Sequence, residues 1–200
     1  QSGNDACIVV AEAFSGSEQA FALAMTERGR ELGLMDSEFA NATGWPHADH
    51  YMTARDLALL TRLIIEDFPE YFPLFAEKTF TYNDIEQSNR NPLLYKDLGV
   101  DGMKTGHTQA AGFGLTVTAE RDGRRLILVL NGMESARARA LEAERVLNWG
   151  FRETKNYGLF EAGEEVEQAE VWLGTEPHVS LVIREDVVVT LSRQARKKLA

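Results

Sequence analysis

A single cysteine, Cys7, leaves the chain without an internal disulfide, and five prolines in 200 residues are too few for a proline-rich linker or a collagenous repeat. No apolar run approaches the roughly 18 residues of a membrane span. The longest candidates, such as Arg125-Leu-Ile-Leu-Val-Leu130, have the length of a strand. Basic residues are outnumbered, 21 Lys and Arg against 31 Asp and Glu for a net charge of −10, so the basic footprint of a phosphate-tracking nucleic-acid binder is missing. The excess of acid specifies no partner by itself. An initiating methionine is also missing. Gln1 opens the sequence with no charged n-region, apolar stretch and cleavage site ahead of the first motif, so the N-terminal part of the protein is expected to lie outside this chain.

What is present is the composition of an ordinary soluble globular protein, 44% hydrophobic and 26% charged, enough for one domain or one domain with a small appendage. Ala6 to Ala13 is apolar enough for a buried helix, which makes Cys7 a small core residue. Ser15 and Ser17 precede an amphipathic helix, Glu18 to Leu32, closed by Gly33. Another helix begins at Thr53, carries Leu57, Leu60 and Ile64 on one stripe, and ends before Pro69. Phe113 to Ala119 alternates, Asp122-Gly123 marks a tight turn, and Arg125 to Asn131 is strongly apolar, which predicts a β-hairpin. Ser135 to Trp149 returns to helical spacing and closes at Gly150. Beyond it, Val171-Trp-Leu173, Val179 to Ile183 and Val187 to Leu191 read as short strands between turns. The aromatic residues Phe14, Phe21, Phe68, Tyr71, Phe72 and Phe75 are assigned to the core, and the closing Arg193, Arg196, Lys197 and Lys198 to a solvated face.

Two short motifs carry chemistry: Ser2-Gly3-Asn4 and, about a hundred residues later, Lys104-Thr105-Gly106. A fixed tripeptide of this kind arises by chance on the order of once in several thousand positions; the S-x-N pattern is weaker. A cation, a hydroxyl and a backbone bare of side chain, followed by a hairpin strand, suit a ligand carboxylate lying against a sheet edge. Competing readings fail. His47 and His50 flank Asp49 in H-x-x-H spacing, yet no cysteine or H-E-x-x-H helix accompanies them, so no metal is assigned. His178, after Pro177 in a turn, suggests nothing. Gly99 to Thr105 departs from a phosphate loop because Met103 stands where glycine must precede the lysine. No cofactor is implied.

S-x-N and K-T-G belong, with S-x-x-K, to the signature of class A β-lactamases and penicillin-binding proteins. Taken together with Ala54-Arg-Asp56, Asn89-Arg-Asn91, Asp101-Gly-Met-Lys-Thr-Gly-His-Thr108, Ala111-Gly112 and Trp149-Gly-Phe151, the chain resembles the low-molecular-weight penicillin-binding proteins that are D-alanyl-D-alanine carboxypeptidases. The resemblance implies an α+β fold of β-lactamase/transpeptidase type, an antiparallel sheet flanked by helices, over residues 1–151. Part of a small C-terminal β domain follows over 152–200, too short to be stable alone.

It also implies roles. A serine would attack the peptide carbonyl between two terminal D-alanines of a peptidoglycan stem peptide, or a β-lactam, and form an acyl-enzyme. Ser2 would relay a proton toward the leaving amine and Asn4 would hold the motif lysine and the substrate amide. Lys104 and Thr105 would bind the terminal carboxylate, Gly106 would let the peptide lie along the strand, and the His107 N–H would serve the oxyanion hole. Arg90 is a candidate second cation for the carboxylate, or for ordering its loop. The nucleophile itself is absent, since none of the eight serines has lysine three residues later. The expected explanation is a piece cut at both ends, inactive as it stands, with any membrane anchor outside it; a natural pseudoenzyme is the alternative. Three functions stay open: the carboxypeptidase; a related β-lactamase or D,D-endopeptidase, for which Asp84 or Glu86 would have to supply a deacylating carboxylate; and a noncatalytic peptidoglycan-binding protein. The substrate implies a periplasmic or outer-face location.

Overall fold

The computed structural model describes residues 2–198, folded as two units that divide between Leu147 and Asn148. The first unit opens with α1 (Asn4–Ser15) and α2 (Glu18–Glu31), joined through Gly16, whose φ of +76° suits a residue without a Cβ. Of the two candidate caps, Ser17 starts α2 by accepting from the Ala20 N–H at 3.1 Å, while Ser15 ends α1. Here the expectation of a buried first helix fails: Cys7, Val9, Val10 and Phe14 are exposed and only Ala11 of α1 is buried. Apolar composition predicts burial only where a partner covers the face, and α1 packs against α2 on the side that carries the small alanines Ala11 and Ala22.

The next helix, α3 (Ala54–Asp67), is capped by Thr53, whose hydroxyl accepts from the Asp56 N–H at 3.1 Å, and it stops before Pro69. Asp56 is buried and accepts from the Asp36 N–H at 2.9 Å and the Ser37 hydroxyl at 2.7 Å, which ties the loop after α2 to the first turn of α3. A 3-10 turn follows at Phe72–Ala76. Phe72 is buried, but Phe14, Phe68 and Tyr71 are exposed, so the aromatic set is not one core cluster. β1 (Thr79–Tyr82) and β2 (Ile85–Ser88) then form a hairpin turned by Asn83 and Asp84, both at positive φ.

The central element is a three-stranded antiparallel sheet of β3 (Val100–Thr108), β4 (Gly112–Arg121) and β5 (Arg124–Met133), in that order. Asp122 and Gly123, at φ +51° and +72°, close the predicted hairpin between β4 and β5. β4 is buried from Gly114 through Ala119, and Leu115 and Val117 join Leu34, Leu93 and Leu147 in the core. Its register sets Lys104 opposite Thr116, Thr105 opposite Leu115, Gly106 opposite Gly114 and His107 opposite Phe113. β3 therefore pairs with β4 on one side, and among the described residues no strand pairs with its other edge.

α4 (Ala136–Glu153) runs through Gly150 instead of ending there, because one glycine costs a helix only about 1 kcal/mol when packing continues. The division between the units thus falls inside α4, ahead of the boundary at 151/152 read from the sequence.

In the second unit β6 (Thr154–Phe160) pairs with β9 (Val187–Ser192) and β7 (Glu165–Glu170) with β8 (His178–Val182), followed by the short α5 (Arg193–Arg196). Val171-Trp-Leu173 is no strand. It lies in the turn after β7, with Leu173 at φ +60° and Trp172 90% exposed, while the acidic run before it takes the pairing. Propensity decides little where ladder partners are fixed by the turn. Among the described residues no helix is long and apolar enough to cross a membrane.

Candidate active site

Ser2 and Asn4 stand at the N-terminal end of α1, Ser2 before the N-cap Gly3 and Asn4 as the first residue of the helix. Facing them is β3, whose free edge offers outward N–H and C=O groups as an extended peptide requires. Ser2, Asn4, Arg90, Lys104, Thr105, Gly106 and His107, all the residues singled out from the two motifs and their surroundings, line one cleft of about 780 Å³. A smaller recess of about 180 Å³ opens beside Lys104, with Leu74, Phe75 and Met103 supplying its apolar wall.

Lys104 donates to the Thr105 carbonyl at 2.5 Å. Its ammonium is held below the ordinary lysine range, first by desolvation and then by the like charge of Arg90; Cys7 acts the other way, and Arg139 adds a smaller lowering. Thr105 is buried beneath it. Gly106 is open: a Cβ built there meets nothing within 4 Å, whereas one on Gly114, its register partner, would sit 2.7 Å from Asn131 Oδ1.

Arg90 is held by its neighbours. Asn89 donates to the Phe75 and Glu77 carbonyls at 3.2 and 2.9 Å and accepts from the Asn91 N–H at 2.9 Å. Asn91 is buried; it donates to the Gly102 carbonyl of β3 at 2.9 Å and accepts from the Leu93 N–H at 3.1 Å. Asn91 ties this loop to β3 and Asn89 ties it to the segment at Phe75 and Glu77, and Arg90 comes to the rim beside Lys104.

The sequence reading missed Thr43, Trp45, Asn131 and Arg139, which also line the cleft. Arg139 had a readable signal, because it shares with Ala143 and Leu147 the buried i, i+4, i+8 stripe of α4, where an arginine is out of place. Three cations, Arg90, Lys104 and Arg139, thus face a cleft lined by no carboxylate among the described residues. That field suits an anionic ligand. Asp84 and Glu86 stand exposed on the β1–β2 hairpin, outside the cleft. His50 accepts from the Ala40 N–H at 3.2 Å through Nδ1, and His47 likewise from the Asp49 N–H at 3.1 Å. Both imidazoles are thus committed to their own loop, and the described residues contain no cluster able to hold a metal.

A family model described as D-alanyl-D-alanine carboxypeptidase matches residues 1–135, and one described as the C-terminal domain of penicillin-binding protein 5 matches residues 155–200. The chain is 38% identical over 200 residues to D-alanyl-D-alanine carboxypeptidase DacA of Escherichia coli (strain K12), covering 100% of this chain and 50% of that one. To DacC of the same organism it is 40% identical with the same coverage. Its backbone superposes on penicillin binding protein 5 from Haemophilus influenzae with a TM-score of 0.86 at 37% identity, over 96% of this chain and 56% of that one. The chain spans about half the length of the curated relatives it matches. An S-x-N at a helix start, a K-T-G on an edge strand across the cleft, and these likenesses along nearly the whole chain place it in the D-alanyl-D-alanine carboxypeptidase family.

Proposed function

We propose that this chain carries the substrate-recognition side of a serine D-alanyl-D-alanine carboxypeptidase, which removes the terminal D-alanine from peptidoglycan stem peptides and is acylated by β-lactams. The observation that carries this reading is the single cleft in which Ser2 and Asn4 face the free edge of β3 at Lys104, Thr105 and Gly106. The terminal carboxylate of the peptide sits at Lys104 and Thr105, with Arg90 at the rim, and the peptide lies along β3 over Gly106. The hydroxyl of an S-x-x-K serine outside this chain gives its proton to the neighbouring motif lysine as it attacks the penultimate carbonyl, and that proton is the one Ser2 relays onward; the developing oxyanion is held by backbone N–H groups including that of His107. The peptide bond breaks, Ser2 passes a proton to the leaving amine, and D-alanine departs. Water then hydrolyses the ester and restores the serine. Asn4 orients the motif lysine and the substrate amide.

The reaction is placed outside the cytoplasmic membrane, where its substrate lies. Neither a nucleic acid nor a metal is part of it, and any anchor belongs to other residues. The test uses the chain extended upstream through the S-x-x-K segment. Lys104→Ala should slow acylation by a penicillin about 100-fold to 1000-fold, the size of effect of removing one group aimed at developing or bound negative charge. Acylation of that variant at near the parent rate would overturn the reading.

A further inference from the structure

Arg139 is 8% exposed and, among the described residues, forms no ion pair with an acid. Nη1 donates to the Gly114 carbonyl at 3.4 Å, and the buried Nε has no hydrogen-bond partner. What the guanidinium has instead is a ring: its carbon lies 5.9 Å from the centroid of Phe113. Phe113 in turn stacks on His107, with ring centroids 3.8 Å apart and planes at 29°. The result is a chain of three planar groups, Arg139 of α4, Phe113 of β4 and His107 of β3, along the wall of the cleft. A buried cation without a counter-charge is costly to keep, and a helix stripe that continues with Ala143 and Leu147 would be satisfied by an apolar residue at 139.

We propose that Arg139 is a positioning residue: through Phe113 it fixes the His107 ring and, with it, the end of β3 along which the ligand lies. This rests on the carboxypeptidase reading only for its consequence to the reaction, because the stack exists whatever the ligand. An aliphatic residue at 139 would fill the space but would neither face the ring as a cation nor hold the Gly114 carbonyl. Lysine would keep the charge and lose the planar fork.

The experiment compares Arg139→Gln, Arg139→Lys and Phe113→Leu with the parent, in the chain extended through the S-x-x-K segment. The NMR resonances of the His107 imidazole protons read the stack directly, since they lie in the ring-current field of Phe113. Phe113→Leu removes that field, and Arg139→Gln and Arg139→Lys should shift the same resonances in the same direction. Acylation by a penicillin should slow on the order of tenfold to a hundredfold, the scale of a small misplacement of reacting groups, and Arg139→Gln should also weaken the preceding noncovalent complex because it removes one of the three cations facing the cleft. His107 resonances unmoved in the Arg139 variants would overturn the proposal, as would full restoration of both readouts by lysine, which would make the role one of charge alone. Should Arg139→Gln fail to fold, the lysine variant decides by the same two criteria. If even the parent resists acylation, the proposed function fails while the His107 resonances still judge the stack.

Discussion

Desolvation works against the proton of Lys104, and the like charge of Arg90 adds to it. Both effects favour the neutral amine, so the proton leaves at a lower pH than from an ordinary lysine. If, as proposed, the ligand carboxylate is bound by this ammonium, acylation of the extended chain should fall on the alkaline side before the usual lysine range is reached. Arg90→Gln removes a like charge and should carry that limb to higher pH; a limb that stays in place in a pH–rate profile would show that Arg90 is electrostatically remote from Lys104. Ser2, Asn4 and Lys104 were legible in the sequence because each belongs to a contiguous motif whose chemistry is local. Trp45 and Asn131 were not, because their place in the cleft is made by packing between segments far apart in the chain.

Elements legible in advance are those whose signals sit within one segment. Ser17 and Thr53 announce α2 and α3 by cap chemistry, and Asp122-Gly123 announces the β4–β5 turn. The β1–β2 hairpin was passed over because its turn, Asn83-Asp84, has no glycine to mark positive φ. Burial of α1 and strand formation at Val171-Trp-Leu173 were misjudged for the opposite reason, since composition spoke clearly but long-range partners decided. One such partner is Asp56. Its carboxylate joins α3 to the Asp36–Ser37 loop from a fully buried position. Asp56→Ala strands a backbone N–H and a hydroxyl, and should lower the free energy of unfolding by about 2–3 kcal/mol, with Ser37→Ala costing about 1 kcal/mol. Chemical denaturation of the extended chain measures both. Equal losses in the two variants would mean that the Asp36 N–H finds another acceptor.

At the scale of the whole chain, the proposed recognition residues stand without a nucleophile: its eight serines lack a lysine at the third following position, while the cleft holds cations and the edge of β3. Incubation of these 200 residues with a penicillin should therefore give no covalent adduct. An intact-mass increase equal to the drug would identify a second nucleophile and displace the S-x-x-K account. A last consequence concerns the two glycines that face each other across β3 and β4. A side chain at Gly114 would meet the tip of the Asn131 side chain, which would have to swing aside, while Gly106 borders empty space. Alanine at 106 should leave the fold intact or raise its stability by about 0.5–1 kcal/mol, glycine being the costlier residue in a strand. On the proposed function, the same methyl narrows the lane along which the peptide would lie. Selection for robustness and selection for access thus pull apart at one Cα, so a library sorted for heat resistance should enrich alanine at 106 while one sorted for penicillin capture in the extended chain discards it.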